Sequence, residues 1–247
     1  MSRWSRDELI VAFTLYCQTP YGKIHSRNVS IIKTANFLNR TPSALAMKML
    51  NIASLDPEIQ KSGRSGLGNA SKGDQEIWDE FHDNWNAAYE EADRIAGDNL
   101  ISEVPRTTED FEEETSYAMQ VSRKKQGFFR NSILASYQST CCISGVKFDK
   151  LLIASHIIPW SKNKKQRLNP SNGLCLSVLY DKVFDLGLIT VTPDFVVEVS
   201  PKLKDLANDP FSQKNLHSIQ GKKVQLPEKF VPSKIFLEWH KDNVYQS

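Results

Sequence analysis

The sequence predicts an α+β chain in two parts: an N-terminal helical domain with a helix-turn-helix-like core, then a smaller domain of short strands and helices. Three observations carry this. Apolar residues recur at helical spacing through the first 90 or so positions. From Cys142 onward the pattern changes to short apolar runs separated by turn residues. Between the two lies a polar, acidic stretch. Boundaries follow at 1–98 for the helical domain, 99–116 for an acidic linker and 117–247 for the second domain.

Each element has its own signal. Ser5-Arg6-Asp7-Glu8 is a capping-box sequence, after which Leu9, Ala12, Phe13 and Tyr16 mark one helix face. Ile31, Ala35 and Leu38 give a second helix over Val29–Leu38. Asn39-Arg40-Thr41-Pro42 reads as a tight turn with Thr41 as N-cap and Pro42 at the first helical position. The third helix runs to about Ile52 and buries Leu45, Met49 and Ile52. This arrangement suits a DNA-reading helix with Arg40 and Lys48 on or beside it; it equally suits a small trihelical bundle with no ligand. A Gly/Ser connector over 62–74 precedes an amphipathic helix with Ile77, Trp78, Phe81 and Trp85 inward. In the second part, Arg123, Lys124 and Arg130 lead into a helix ending near Tyr137. Leu151–His156 and Gly173–Leu176 read as strands and Ser177–Phe184 as a short helix. Residues 187–199 form a hairpin, and 232–244 hold a final helix.

Charge divides the chain more sharply than its net value of +2 suggests. Residues 1–64 carry nine Lys/Arg against four Asp/Glu, residues 65–114 three against fifteen, and residues 115–247 nineteen against ten. Basic segments of this kind suit a polyanion partner, although a solvated surface would look the same. No apolar run approaches the ~20 residues of a membrane span, so no membrane association is expected. The opening Met1-Ser2-Arg3-Trp4-Ser5 lacks the layout of a secretory signal, and four cysteines make no disulfide framework, so the expected compartment is the cytoplasm.

Among five histidines, His156 has the company that chemistry requires. It ends an apolar strand and is followed by a basic loop carrying Lys162, Lys164, Lys165 and Arg167. Next come Asn172-Gly173, a second strand, and a helix bearing Tyr180, Asp181 and Asp185. A neutral imidazole there would take a proton from water while helix oxygens hold a divalent cation against a phosphate.

The words Cys142-Ile143-Ser144-Gly145, Ala154-Ser155-His156-Ile157-Ile158-Pro159-Trp160, Asn172-Gly173-Leu174-Cys175-Leu176 and Asp181 to Ile189 resemble the HNH nucleases of the His-Me finger, or ββα-metal, class. Gln126-Gly127-Phe128-Phe129-Arg130 and Leu237-Glu238-Trp239-His240 are similar to the family's flanks. The words around Arg40–Lys48 and Ala53–Pro57 resemble an accessory module placed before such nucleases. The resemblance implies a metal-dependent DNA endonuclease, restriction-type, with His156 as the base that activates water and Asn172 bracing its loop. It places Tyr180 where the family normally has a metal-binding histidine, and Ser155 where many relatives have a carboxylate. Asp181 and Asp185 are then the oxygen ligands for Mg²⁺ or Mn²⁺. The DNA contacts it implies are Arg123, Lys124, Arg130, Lys162, Lys164, Lys165, Arg167, Arg40 and Lys48. Structural zinc is not expected, because only Cys142 and Cys175 fall near a knuckle frame. Cutting both strands would recruit a homodimer. The alternative reading is a DNA-binding protein whose HNH frame is weak or inactive.

Overall fold

A computed structural model describes residues 3–64, 66–100, 117–206 and 209–247. The chain divides into two compact units, residues 1–136 and 137–247.

The first unit is built around α1 (Arg6–Cys17), whose residues from Leu9 to Cys17 are all buried. A helix apolar all round belongs at the centre of a bundle. The polar groups it buries are satisfied locally: Thr14 donates to the Ile10 carbonyl at 2.9 Å and Thr19 to that of Leu15 at 2.7 Å. Its start is the expected capping box, with Glu8 N–H donating to Ser5 and Ser5 N–H to Glu8. Helix α2 (Val29–Phe37) is capped by Asn28 and α3 (Pro42–Ala53) by Thr41. The turn between them passes through Asn39 at φ 51°, a left-handed conformation that Asn tolerates. Asp56 caps the short α4 (Pro57–Lys61) and also accepts the buried Tyr16 hydroxyl at 2.7 Å.

The amphipathic segment expected around 77–85 is two helices, α5 (Lys72–Phe81) and α6 (Trp85–Ala96), separated at His82–Asn84. The break lets Trp78 and Trp85 approach one ring from two directions. Trp78 meets Phe13 edge-on at 6.0 Å and Trp85 stacks on it at 5.8 Å. In the connector before α5, Gly66 is required by close approach: a Cβ there would lie 2.5 Å from the Leu50 carbonyl oxygen.

Helix α7 (Tyr117–Ser136) belongs to this unit, so the division falls at 136/137 and not at the expected 98/117. Phe128 packs on Tyr89 at 5.5 Å, and Asn131 donates to Gln18 at 3.2 Å. Lys125 pairs with Glu90 at 2.8 Å. Residues 101–116 of the expected acidic linker lie outside the described residues.

The second unit opens with β1 (Leu152–His156) and β2 (Gly173–Ser177), antiparallel with Leu152 opposite Ser177 and His156 opposite Gly173. Helix α8 (Val178–Asp185) follows β2 directly and packs back on both strands. The expected hairpin forms as β3 (Ile189–Val191) and β4 (Val197–Val199). Helices α9 (Pro201–Leu206), α10 (Pro210–Asn215) and α11 (Lys234–Asn243) complete the unit. Among the described residues no helix is long and apolar enough to cross a membrane.

His240 ties α11 to the frame. Its ring stacks on Phe184 at 3.7 Å, its Nε2–H donates to the Phe184 carbonyl, and its Nδ1 accepts from Thr190 at 2.9 Å. Burial pushes its pKa down to about 4. The unfolded chain therefore binds a proton near pH 6.5 that the native state refuses until about pH 4. The contribution is intact above pH 6.5 and is lost as pH falls through that window, for about 3 kcal/mol in all. We expect the urea midpoint to fall more steeply between pH 6.5 and 4 in the wild type than in His240→Gln. Equal acid sensitivity would contradict this role.

Candidate active site

Three segments converge where β1 ends. His156 closes the strand, and Asn172 immediately precedes β2, so the antiparallel register sets them side by side. Asn172 is 1% exposed, and its amide uses both ends. Its Oδ1 accepts the Ile158 N–H at 2.8 Å; its Nδ2 donates to the carbonyls of Ile158 at 3.1 Å and Gln166 at 3.2 Å. One buried amide thus ties the chain just after His156 to the far side of the basic loop.

The next residue in that loop completes the arrangement. His156 Nε2 lies 2.9 Å from the Arg167 carbonyl oxygen. A carbonyl only accepts, so Nε2 carries the hydrogen and the lone pair of the neutral ring is at Nδ1. Burial is the main cause that lowers the His156 pKa below its ordinary value, and the Arg167 cation acts in the same direction; the Arg167 carbonyl opposes both. The ring is neutral at pH 7, as a general base requires. Trp160 meets it edge-on at 5.5 Å.

Arg167, expected as a phosphate contact, is also tied into its own loop. Its guanidinium lies 4.9 Å over the Trp160 ring, and Nε donates to the Trp160 carbonyl at 2.7 Å. It therefore braces the loop whose carbonyl orients the histidine. Lys162, Lys164 and Lys165 are exposed on the same loop.

Helix α8 faces the site with acids. Asp181 is half-buried, and burial raises its pKa, an effect opposed by the Ser155 hydroxyl and by Lys182. Asp185, one turn on, is raised by burial and by the charge of Asp181. Ser155 is 3% exposed, and its hydroxyl lies near enough to Asp181 to favour the carboxylate, yet its Oγ completes no hydrogen bond of normal geometry. Carboxylates that repel each other beside an orphaned buried hydroxyl form an oxygen donor set suited to a hard divalent cation. Among the described residues no three His, Cys, Asp or Glu side chains stand close enough to enclose a metal.

Tyr180 does not share this face. It is 7% exposed, and its hydroxyl donates to the Asn215 carbonyl at 2.7 Å, at the end of α10. Burial raises its pKa. The residue expected at the third motif position is thus engaged elsewhere, and its neighbour Asp181 holds the place beside Ser155.

The remaining expected DNA contacts divide by charge pairing. Lys48 is buried and reaches both carboxylate oxygens of the fully buried Asp74 at 2.9 Å. Arg40 pairs with Glu8 at 2.7 and 2.9 Å and lies over Trp4. Of these two expected DNA contacts, Lys48 is engaged in a buried ion pair and Arg40 in a part-buried one within the first unit. Lys124 lies 3.9 Å from Asp93, and with Arg123 and Arg130 it sits on α7 in that same unit.

Sequence reasoning missed two features. The Arg167 carbonyl that orients His156 has no side-chain signature. Cys141 Sγ, which accepts the Ser177 N–H at 3.2 Å and the Ser144 N–H at 3.4 Å, secures the start of α8. The adjacency of Cys141 and Cys142 carries no sequence signal for these contacts.

No curated protein matches the chain. Residues 141–192 match the model of a family described as HNH endonuclease. Those residues hold β1, the basic loop, Asn172, β2, α8 and β3, so the frame that positions His156 is a domain of the HNH endonuclease family.

Proposed function

We propose that this chain is a divalent-metal-dependent DNA endonuclease in which His156 Nδ1 takes the proton of the attacking water. The observation that carries the reading is the Nε2–H bond to the Arg167 carbonyl, which leaves the lone pair of a neutral imidazole at Nδ1. Asn172 is a positioning residue, fixing the loop that carries this carbonyl. Asp181, with Ser155 and Asp185 beside it, would hold Mg²⁺ or Mn²⁺; such a cation supplies charge neutralisation at a phosphate oxygen. Exposed Lys162, Lys164 and Lys165 draw the phosphate backbone toward the same end of β1.

A restriction role would require the first unit to select DNA. With Arg40 and Lys48 held by Glu8 and Asp74, selection there falls to exposed side chains of α2 and α3 such as Lys33, Asn36 and Ser43.

Two neighbours on α8 give the test. Asp181→Asn should reduce metal-dependent plasmid cleavage and raise the metal concentration needed. Tyr180→Phe should leave cleavage close to wild type and cost about 1 kcal/mol of stability, from the unsatisfied Asn215 carbonyl. The reverse pattern would place Tyr180, and not Asp181, in the reaction. A wild type inactive in every metal, yet bound to DNA, would favour the binding-protein alternative.

A further inference from the structure

The end of the β1–β2 ladder opposite His156 carries an exposed apolar cluster with a basic surround. Phe148 is 57% exposed, Leu151 49% and Val178 48%. Residues 149–151 form a single 3-10 turn leading into β1. Leu151 immediately precedes Leu152 and Val178 immediately follows Ser177, the residues paired at that end of the ladder, so two chain segments place exposed apolar residues there. Lys147 and Lys150 flank the two apolar side chains of the loop and are exposed, as is Lys182 on α8. Among the described residues neither Lys147 nor Lys150 enters an ion pair. Asp149 is the single acid of the loop.

Large side chains exposed on a tight turn cannot be explained by packing, and flanking lysines are unsuited to an apolar protein interface. They suit a partner that is apolar within and anionic at its edges. A nucleic-acid groove has that profile, with sugar and base faces inside and a phosphate row on either rim. A three-residue turn is narrower than the α-helix that fills a major groove, and it presents no side-chain amide to read base edges. Apolar wedges of Phe and Leu with adjacent basic residues are instead the means of entering a minor groove.

Resting on the nuclease reading above, we propose that Phe148 and Leu151 press into the minor groove of the duplex being cut, with Lys147 and Lys150 on the bordering phosphates. From Leu152 to His156 the strand runs roughly 13 Å. The wedge therefore meets the duplex at a point separated from His156 by the length of β1. It holds the strand in register with His156 and makes groove width a determinant of where the enzyme cuts.

The test is binding of the full chain to a fluorescent AT-rich duplex in EDTA, by anisotropy, across a salt series and with netropsin, which fills the minor groove. Phe148→Ala/Leu151→Ala should bind roughly tenfold more weakly with an unchanged salt slope. Netropsin should weaken the wild type and have little effect on the variant. Lys147→Gln/Lys150→Gln should flatten the slope by about 0.9 per lost contact. Thermal melts matching wild type would show that all variants are folded, as expected for exposed positions. A double-alanine variant that binds like wild type and stays sensitive to netropsin would overturn the wedge while leaving the nuclease reading intact, and would assign the patch to a protein partner. A wild type that binds no duplex would overturn both.

Discussion

His156→Ala is expected to lower single-turnover DNA cleavage by roughly 10²–10⁴-fold, the usual worth of a positioned general base. Duplex binding should change little, because a neutral imidazole contributes no charge to a contact dominated by phosphates. The loss should not be a folding defect: His156 is half-buried at a strand end, and its ladder bonds are made by backbone. The same assignment fixes the pH profile. Burial and Arg167 hold the pKa below its ordinary value of 6.5, and the base works only when unprotonated. Activity should therefore survive to a lower pH than an ordinary histidine allows, and fall as pH drops through the depressed pKa. Single-turnover rates across pH 5–8 would show it. An acid limb centred above 6.5, or full activity in His156→Ala, would contradict the assignment.

Asn172→Ala should damage both stability and catalysis. The substitution strands an Ile158 N–H and two carbonyls in a site where Asn172 itself is 1% exposed. Each unsatisfied buried group costs about 1–3 kcal/mol, and partial relaxation keeps the total to roughly 2–4 kcal/mol. Gln166 precedes the residue whose carbonyl orients His156, so the released loop also loosens the base. Asn172→Asp should not rescue it, since a carboxylate has no donor for the carbonyls of Ile158 and Gln166. A urea midpoint with a cleavage rate measured on the folded fraction separates the two effects. An unchanged rate there would make Asn172 purely structural.

The elements that were legible in the sequence are those whose cause is local. The capping box at Ser5 and Pro42 at a helix start both depend on short-range chemistry. What escaped depends on tertiary neighbours. Lys48 looks like a surface cation until Asp74, 26 residues away, folds against it. Arg40 likewise meets Glu8 only when α1 and α3 pack. Tyr180 and Asp181 are adjacent, but a helix turns about 100° per residue, so one faces α10 and the other β1. Nothing in the motif says which of the two takes the site. The division at Ser136 was hidden for a similar reason: the basic run of α7 reads as a phosphate contact until α6 supplies Glu90 and Asp93.

The most direct test of the central claim is nicking of supercoiled plasmid by the purified full-length protein, comparing Mg²⁺, Mn²⁺ and EDTA, with His156→Ala in parallel. Open-circular or linear product formed by the wild type with a divalent cation, and absent both in EDTA and in His156→Ala, is the predicted result. Cleavage that persists in EDTA or in His156→Ala would contradict it.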